Sequence, residues 1–262
     1  MEESKEFTID NLRVKMFEDR NTMGMRAAVD VAGKMRELLK KKDHINMIFA
    51  AAPSQNEFLA ALSQQQQVNW ERVNAFHMDE YVGLGANHPQ RFSNFLKDRI
   101  FAKVKFNKVY YLVPDEKDPE KSCRSYTKLL RQFPADIVCM GIGENTHIAF
   151  NDPSVANFND PELVKLVQLD EVSRLQQVHD GCFDDIEDVP KTAITLTVPA
   201  LMNSKYIYCV VPGKNKAEAV YHTVNEEISK KYPSTSLRNH RNAILYLDKD
   251  SSIELLKNKS YV

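Results

Sequence analysis

The chain has 262 residues, a formal net charge of -1, and hydrophobic and charged fractions of 43% and 27%. That composition is ordinary for a globular protein and long enough for a filled core within one domain, 1–262. The near-neutral charge removes the electrostatic case for a nucleic-acid or membrane-surface partner, and no apolar run approaches the roughly 18 residues needed to cross a bilayer.

The first residues, MEESKEFTIDNL, are acidic and polar, unlike the basic and apolar parts of a signal peptide. Residues 22–42 carry an apolar stripe at Met25, Ala28, Val29, Ala32, Met35, Leu38 and Leu39, which predicts a helix. It ends in three lysines that suit the negative end of a helix dipole. A continuous apolar run at 45–52 predicts a strand buried on both faces. A short helix at 57–63 and a strand at 73–78 come next. The four glutamines at 64–67 read as a helix end or loop.

Further on, 109–113 predicts a strand, 120–131 a helix and 137–142 a strand ending in glycine. The stretch 153–190 shows no clear strand and reads as a long insertion over the sheet edge. Residues 194–198 predict a strand leading into a helix near Asn203. A strand at 206–211 is closed by Pro212-Gly213 and followed by a helix at 215–231. A last strand at 243–247 precedes a C-terminal helix after Asp250. Strands separated by helices imply right-handed crossovers. The expected fold is α/β, three-layered, with a mainly parallel Rossmann-like sheet covered by helices on both faces.

Cysteines stand at 123, 139, 182 and 209 with no C-x-x-C. Cys139 and Cys209 lie inside apolar runs, as small core residues do. The spacing points to four reduced thiols and a cytoplasmic location.

Two segments carry chemistry. At 73–84 an apolar strand runs directly into Asp79 and Glu80, then an aromatic and a glycine. Such a pair is often no more than a solvated turn. At 141–153 glycines end a strand, and the following loop presents Asn145, His147 and Asp152; a histidine before an apolar triplet is often structural. Together they say more. Parallel strands end at one sheet edge, so a carboxylate base and a histidine can face one substrate. Proton abstraction beside a carbonyl needs such a pair. Asp79 and His147 divide that labour, and Asp152 is placed to orient the imidazole.

FHMDEYVGL (76–84), HPQRFSNF (88–95), GIGENTHIAFNDP (141–153), VPK (189–191) and GKNK (213–216) resemble signature segments of the glucosamine-6-phosphate deaminase family. The likeness extends over nearly the whole chain. It implies the fold shared by that family and ribose-5-phosphate isomerase-like proteins, and conversion of an aldose phosphate to a ketose with loss of the 2-amino group as ammonia. By the resemblance, Asp79 moves a proton between C2 and C1, His147 opens the sugar ring with Asn145 and Asp152 beside it, and Lys216 contacts the phosphate. Lys216 read alone also suits the start of a surface helix. Glu80, Ser54, Gln55 and Gly143 complete the expected substrate contacts. No cofactor and no metal is implied, since the candidate groups lack metal-ligand clustering.

Departures from the family pattern are as informative. Asn145-Thr146-His147 stands where the family usually has Asp-Gly-His. Asn145 accepts the same bond without contributing charge, and Thr146 is unfavourable if its φ is positive. The usual Gly-rich loop after the first strand is replaced by 49–56, where Ser54, Gln55 and a helix N-terminus remain to bind phosphate. A phosphate-contacting arginine has no clear counterpart, and Arg174 does not take the role by alignment. Leu163 falls where an allosteric arginine would be and Lys165 matches another member of that cluster, so activation by N-acetylglucosamine-6-phosphate is not expected. Galactosamine-6-phosphate isomerisation and a catalytically impaired sugar-phosphate-binding regulator stay open. A 6-phosphogluconolactonase is disfavoured by HIAFNDP. Related proteins occur as monomers and as larger assemblies, so a homo-oligomer stays open too.

Overall fold

The computed structural model describes residues 5–257; the domain read over 1–262 reaches beyond them at both ends. A hairpin opens the chain, β1 (Lys5–Ile9) and β2 (Leu12–Phe17), turned at Asp10 with φ 50°. Helix α1 (Arg20–Leu39) starts before its apolar stripe, because Asp19 accepts from the N–H groups of Asn21 (2.8 Å) and Thr22 (2.9 Å). Then come β3 (Ile45–Phe49), α2 (Asn56–Ser63), β4 (Val73–His77) and the short β5 (Asp79–Tyr81). Next are α3 (Phe92–Leu96), β6 (Lys108–Tyr110), α4 (Pro119–Gln132) and β7 (Ile137–Met140). The remainder holds β8 (Val164–Gln168), α5 (Glu171–His179), β9 (Thr192–Leu196), α6 (Val198–Met202), β10 (Tyr206–Val211), α7 (Ala217–Asn225), β11 (Ala243–Asp248) and α8 (Ile253–Lys257).

The main sheet has eight strands in the order β1-β2-β11-β10-β7-β3-β4-β6. Every pairing is parallel except the β1–β2 hairpin. Strand order runs outward in one direction from β3 and in the other from β7. The junction between them is a topological switch point, where the loops leaving the two strands diverge and open a crevice. Alternating side chains feed two cores. Met47, Phe49, Cys139 and Tyr208 pack beneath α1 and α2, while Ile48, Val138, Met140 and Cys209 pack beneath α4 and α7. The expected three-layer α/β arrangement is therefore the observed one. All four cysteines are unpaired, and no helix among the described residues is long and apolar enough to cross a membrane.

Three expectations need correction. The strand predicted at 194–198 is β9. It lies outside the parallel sheet, in the middle of an antiparallel sheet ordered β5-β9-β8, and Thr197 ends it by capping α6. The stretch 153–190 is not irregular throughout but supplies β8 and α5. The helix predicted at 215–231 stops at Asn225, where Glu226 turns extended (φ -80°, ψ 164°).

Candidate active site

The crevice at the switch point is built from three strand ends. After β4, His77 fixes the chain path. Its Nε2 accepts from the Leu112 N–H (2.8 Å), so Nδ1 carries the proton and donates to the Asp79 carbonyl (3.0 Å). Asp79 then turns into β5, pairing with Thr195 of β9. Its side chain lines the crevice and has no hydrogen-bond partner among the described residues. Burial, and behind it the charge of Glu80, push the Asp79 carboxyl well above the usual range. Aromatic rings next to it, with Tyr81 4.7 Å from Phe92 and 5.6 Å from Phe150 between centroids, keep the wall dry.

Glu80 points elsewhere. It is fully buried, and its carboxylate accepts from the N–H groups of Tyr81 (3.1 Å), Phe92 (3.0 Å) and Ser93 (2.9 Å), with Arg91 at 3.6 Å. It caps α3 and does not line the crevice, so the expected substrate contact from Glu80 is corrected: strand alternation sends neighbouring side chains to opposite faces.

After β7, Gly143 and His147 close a turn through Gly143 N–H to His147 O (2.8 Å) and Thr146 N–H to Gly143 O (3.0 Å). The imidazole lies directly over Gly143. A Cβ at that position would sit 2.1–2.3 Å from Cε1, Nε2 and Nδ1 of His147. Gly143 thus makes room for the ring, a more specific role than the expected substrate contact. Thr146 adopts φ 70°, the left-handed region that favours glycine. Its Oγ1 is buried without a partner, and its carbonyl accepts from Ser234 N–H (3.0 Å). Relief of that strain, net of glycine's backbone entropy, predicts that Thr146→Gly raises unfolding free energy by about 1 kcal/mol in a denaturant titration.

Three oxygens surround Nδ1 of His147: Asn145 Oδ1 at 2.7 Å, Ser173 Oγ at 2.8 Å and Asp152 Oδ1 at 3.1 Å. Asn145 uses its Nδ2 to donate to Asp152 (3.0 Å), which leaves its Oδ1 as an acceptor. The Ser173 hydroxyl donates to Asp152 Oδ1. All three therefore accept from Nδ1–H, and Nε2 is left as the free ring nitrogen. Asp152 is fully buried, yet bonds from His147, Ser173 and Asn145 outweigh that burial and hold its carboxyl at about 2.

Ser173, Gln176 and Gln177 are not among the residues expected from the sequence, and the two glutamines line the crevice from α5. The signal was present in the spacing. Ser173, Gln176 and Gln177 fall at i, i+3 and i+4 and are buried, while Val172 and Leu175 are 47% and 36% exposed. The helix is amphipathic the wrong way round, as a helix over a polar site would be. Ser173→Ala removes one of the acceptors that fix the imidazole. Turnover is expected to fall about tenfold to a hundredfold, with a displaced pH–rate profile. Ser173→Thr, which keeps the hydroxyl, should restore both.

Of the loop after β3, Ser54 and Gln55 both line the crevice. Gln55 is committed in part to structure: its Nε2 donates to Val210 O (3.1 Å) and Ser54 Oγ (3.2 Å), while Oε1 has no partner. Lys216 follows β10 and is 3% exposed, with no partner for Nζ. Burial lowers its pKa, against the opposing pull of Asp180 and Glu144. It is not in the crevice lining itself. Asn215 ties its turn to the β7 loop by donating to Glu144 Oε1 (3.0 Å). Arg174 is structural, donating to the Val189 carbonyl (3.2 and 3.1 Å) and to that of Ile186. Lys165 is likewise occupied, by Val155 O (2.7 Å) and Asp160 (2.8 Å).

Known proteins resemble this chain in sequence and in fold. Residues 18–246 match the family described as glucosamine-6-phosphate isomerases/6-phosphogluconolactonase. A glucosamine-6-phosphate deaminase of an Exiguobacterium species is 34% identical over 185 residues, 71% of each chain. One from Bacillus pumilus is 29% identical over 240 residues, 90% of this chain and 96% of that one. A solved structure of a monomeric glucosamine-6-phosphate deaminase superposes with a TM-score of 0.83 at 25% identity, covering 92% of this chain and 98% of the other. The fold also matches a 6-phosphogluconolactonase from Thermotoga maritima, TM-score 0.73 at 21% identity, covering 90% and 99%. The chain belongs to the glucosamine-6-phosphate isomerase/6-phosphogluconolactonase family.

Proposed function

We propose that the chain is an amino-sugar-phosphate deaminase/isomerase that converts glucosamine-6-phosphate and water to fructose-6-phosphate and ammonia. One observation carries this reading: an unpartnered, buried carboxylate and a histidine with a single free nitrogen line one crevice at the sheet's switch point. A lactonase acting on an ester has no need of a base at C2; an aldose–ketose conversion does.

In this reading Nε2 of His147 takes the proton of the anomeric hydroxyl and returns one to the ring oxygen, opening the sugar. The acceptors at Nδ1 stabilise the imidazolium formed in passing. Asp79 then removes the proton from C2, the electrons move toward O1, and O1 takes a proton from water to give an enolamine. Its raised pKa suits both steps, since the same carboxyl must give a proton to C1 afterwards. The resulting C2 imine adds water and expels ammonia, leaving the ketose phosphate.

Lys216 is the cation proposed for the phosphate. An ammonium buried without a partner costs stability until an anion reaches it. Lys216→Met is therefore expected to raise the melting temperature of the free protein while weakening phosphorylated-substrate affinity by about tenfold to a hundredfold. Gln177 and Ser54 are the polar groups offered to sugar hydroxyls. Four unpaired cysteines support a reducing, cytoplasmic setting.

The deciding assay supplies glucosamine-6-phosphate and galactosamine-6-phosphate, which differ in configuration at C4, and follows ammonia and ketose phosphate. Release of both products from either substrate is the expected result. Binding without ammonia release would replace this reading with that of a sugar-phosphate-binding regulator.

A further inference from the structure

At the opposite edge of the main sheet, near the N-terminal ends of β2, β10 and β11, a second cavity of about 370 Å³ opens under α1. Its walls carry three cations, Arg13, Lys34 and Arg241, against one carboxylate, Asp30. Asp30 is already matched: its Oδ2 accepts from Lys15 Nζ and from the Tyr246 hydroxyl, each at 2.7 Å. Lys34 shares its charge with Glu37 at 2.5 Å, and its Nζ lies 4.4 Å from the centroid of Tyr206. Arg13 and Arg241 are different. Neither guanidinium has an ion-pair or hydrogen-bond partner among the described residues, and nor does the hydroxyl of Tyr208. Burial keeps that phenol protonated, as a donor.

We propose that this cavity is a second anion site, separate from the crevice, that takes a small soluble phosphomonoester. Two unspent guanidinium forks suit the oxygens of a tetrahedral dianion better than a point charge does. The phenol adds a neutral donor, and the half-buried ring of Tyr206 forms part of the wall. A concave wall of this kind admits a small molecule. The pairing of Asp30 and Glu37 with lysines leaves the two arginines as the net charge of the site.

The test is a titration of the full chain carrying Lys216→Met, which removes the lysine proposed for the substrate's phosphate. Inorganic phosphate and glycerol 3-phosphate are the probes, and the ring resonances of labelled tyrosines are followed by NMR. Saturable shifts of Tyr206 and Tyr208 are expected with both probes. Adding Arg13→Ala and Arg241→Ala should weaken that binding by about tenfold or more, and Arg13→Lys with Arg241→Lys by less. In the chain with Lys216 intact, the alanine pair should leave ammonia release unchanged. Unmoved tyrosine resonances, equal affinity in the alanine pair, or equal saturation by chloride would overturn the proposal.

Discussion

Asp79→Asn is expected to lower ammonia release from glucosamine-6-phosphate by about a thousandfold or more, with substrate affinity changed only a few-fold. The substitution keeps the shape of the side chain and removes its capacity to take a proton. Asp79 makes no hydrogen bond that the amide would break, so the fold should keep its stability. Burial already disfavours the Asp79 anion, and a neutral amide there should if anything raise the melting temperature slightly. A large loss of turnover with an unchanged or higher melting temperature separates a chemical role from a structural one. Loss of both together would point to a collapsed site, and unchanged turnover would remove Asp79 as the base.

The second large effect is expected from Gly143→Ala. The glycine has no positive φ, so alanine meets no backbone penalty there. What it meets is the imidazole, with the new Cβ 2.1–2.3 Å from three ring atoms of His147. The ring must leave its place over the turn, and with it the contacts to Asn145, Ser173 and Asp152. Turnover should fall by about a hundredfold or more, and stability by about 1–3 kcal/mol. The two losses have one cause, which a double-mutant cycle isolates. His147→Ala in the Gly143→Ala background should recover the stability and none of the turnover. A stability loss that persists without His147 would show that the clash lies elsewhere.

How much of this was legible in the sequence depends on the range of each interaction. Asp79, Asn145, His147 and Asp152 were readable because each follows a strand end within a short segment whose pattern is local. The two strands could be placed at one edge from the alternation of strands and helices alone. Ser173 was not readable in the same way: it joins His147 across 26 residues, through a helix laid over the crevice by tertiary packing. The inverted pattern of α5, apolar out and polar in, was the one local sign of it. Glu80 failed for a geometric reason, since consecutive residues of β5 face opposite ways and only Asp79 turns to the crevice. The antiparallel sheet of β5, β9 and β8 was missed because β5 is three residues long and β9 carries a buried run that suits either sheet. Thr146 was readable as a conditional: a β-branched residue would be strained there if its φ were positive, and it is.

In the proposed reaction the crevice breaks the C2–H bond of a 2-amino sugar phosphate and releases its nitrogen. Glucosamine-6-phosphate carrying deuterium at C2 tests it directly. Ammonia and fructose-6-phosphate are expected in equal amounts, at a slower rate than from the unlabelled sugar, with deuterium missing from C2 and found at C1 or in solvent. Ammonia released from a product that still holds its deuterium at C2 would contradict it.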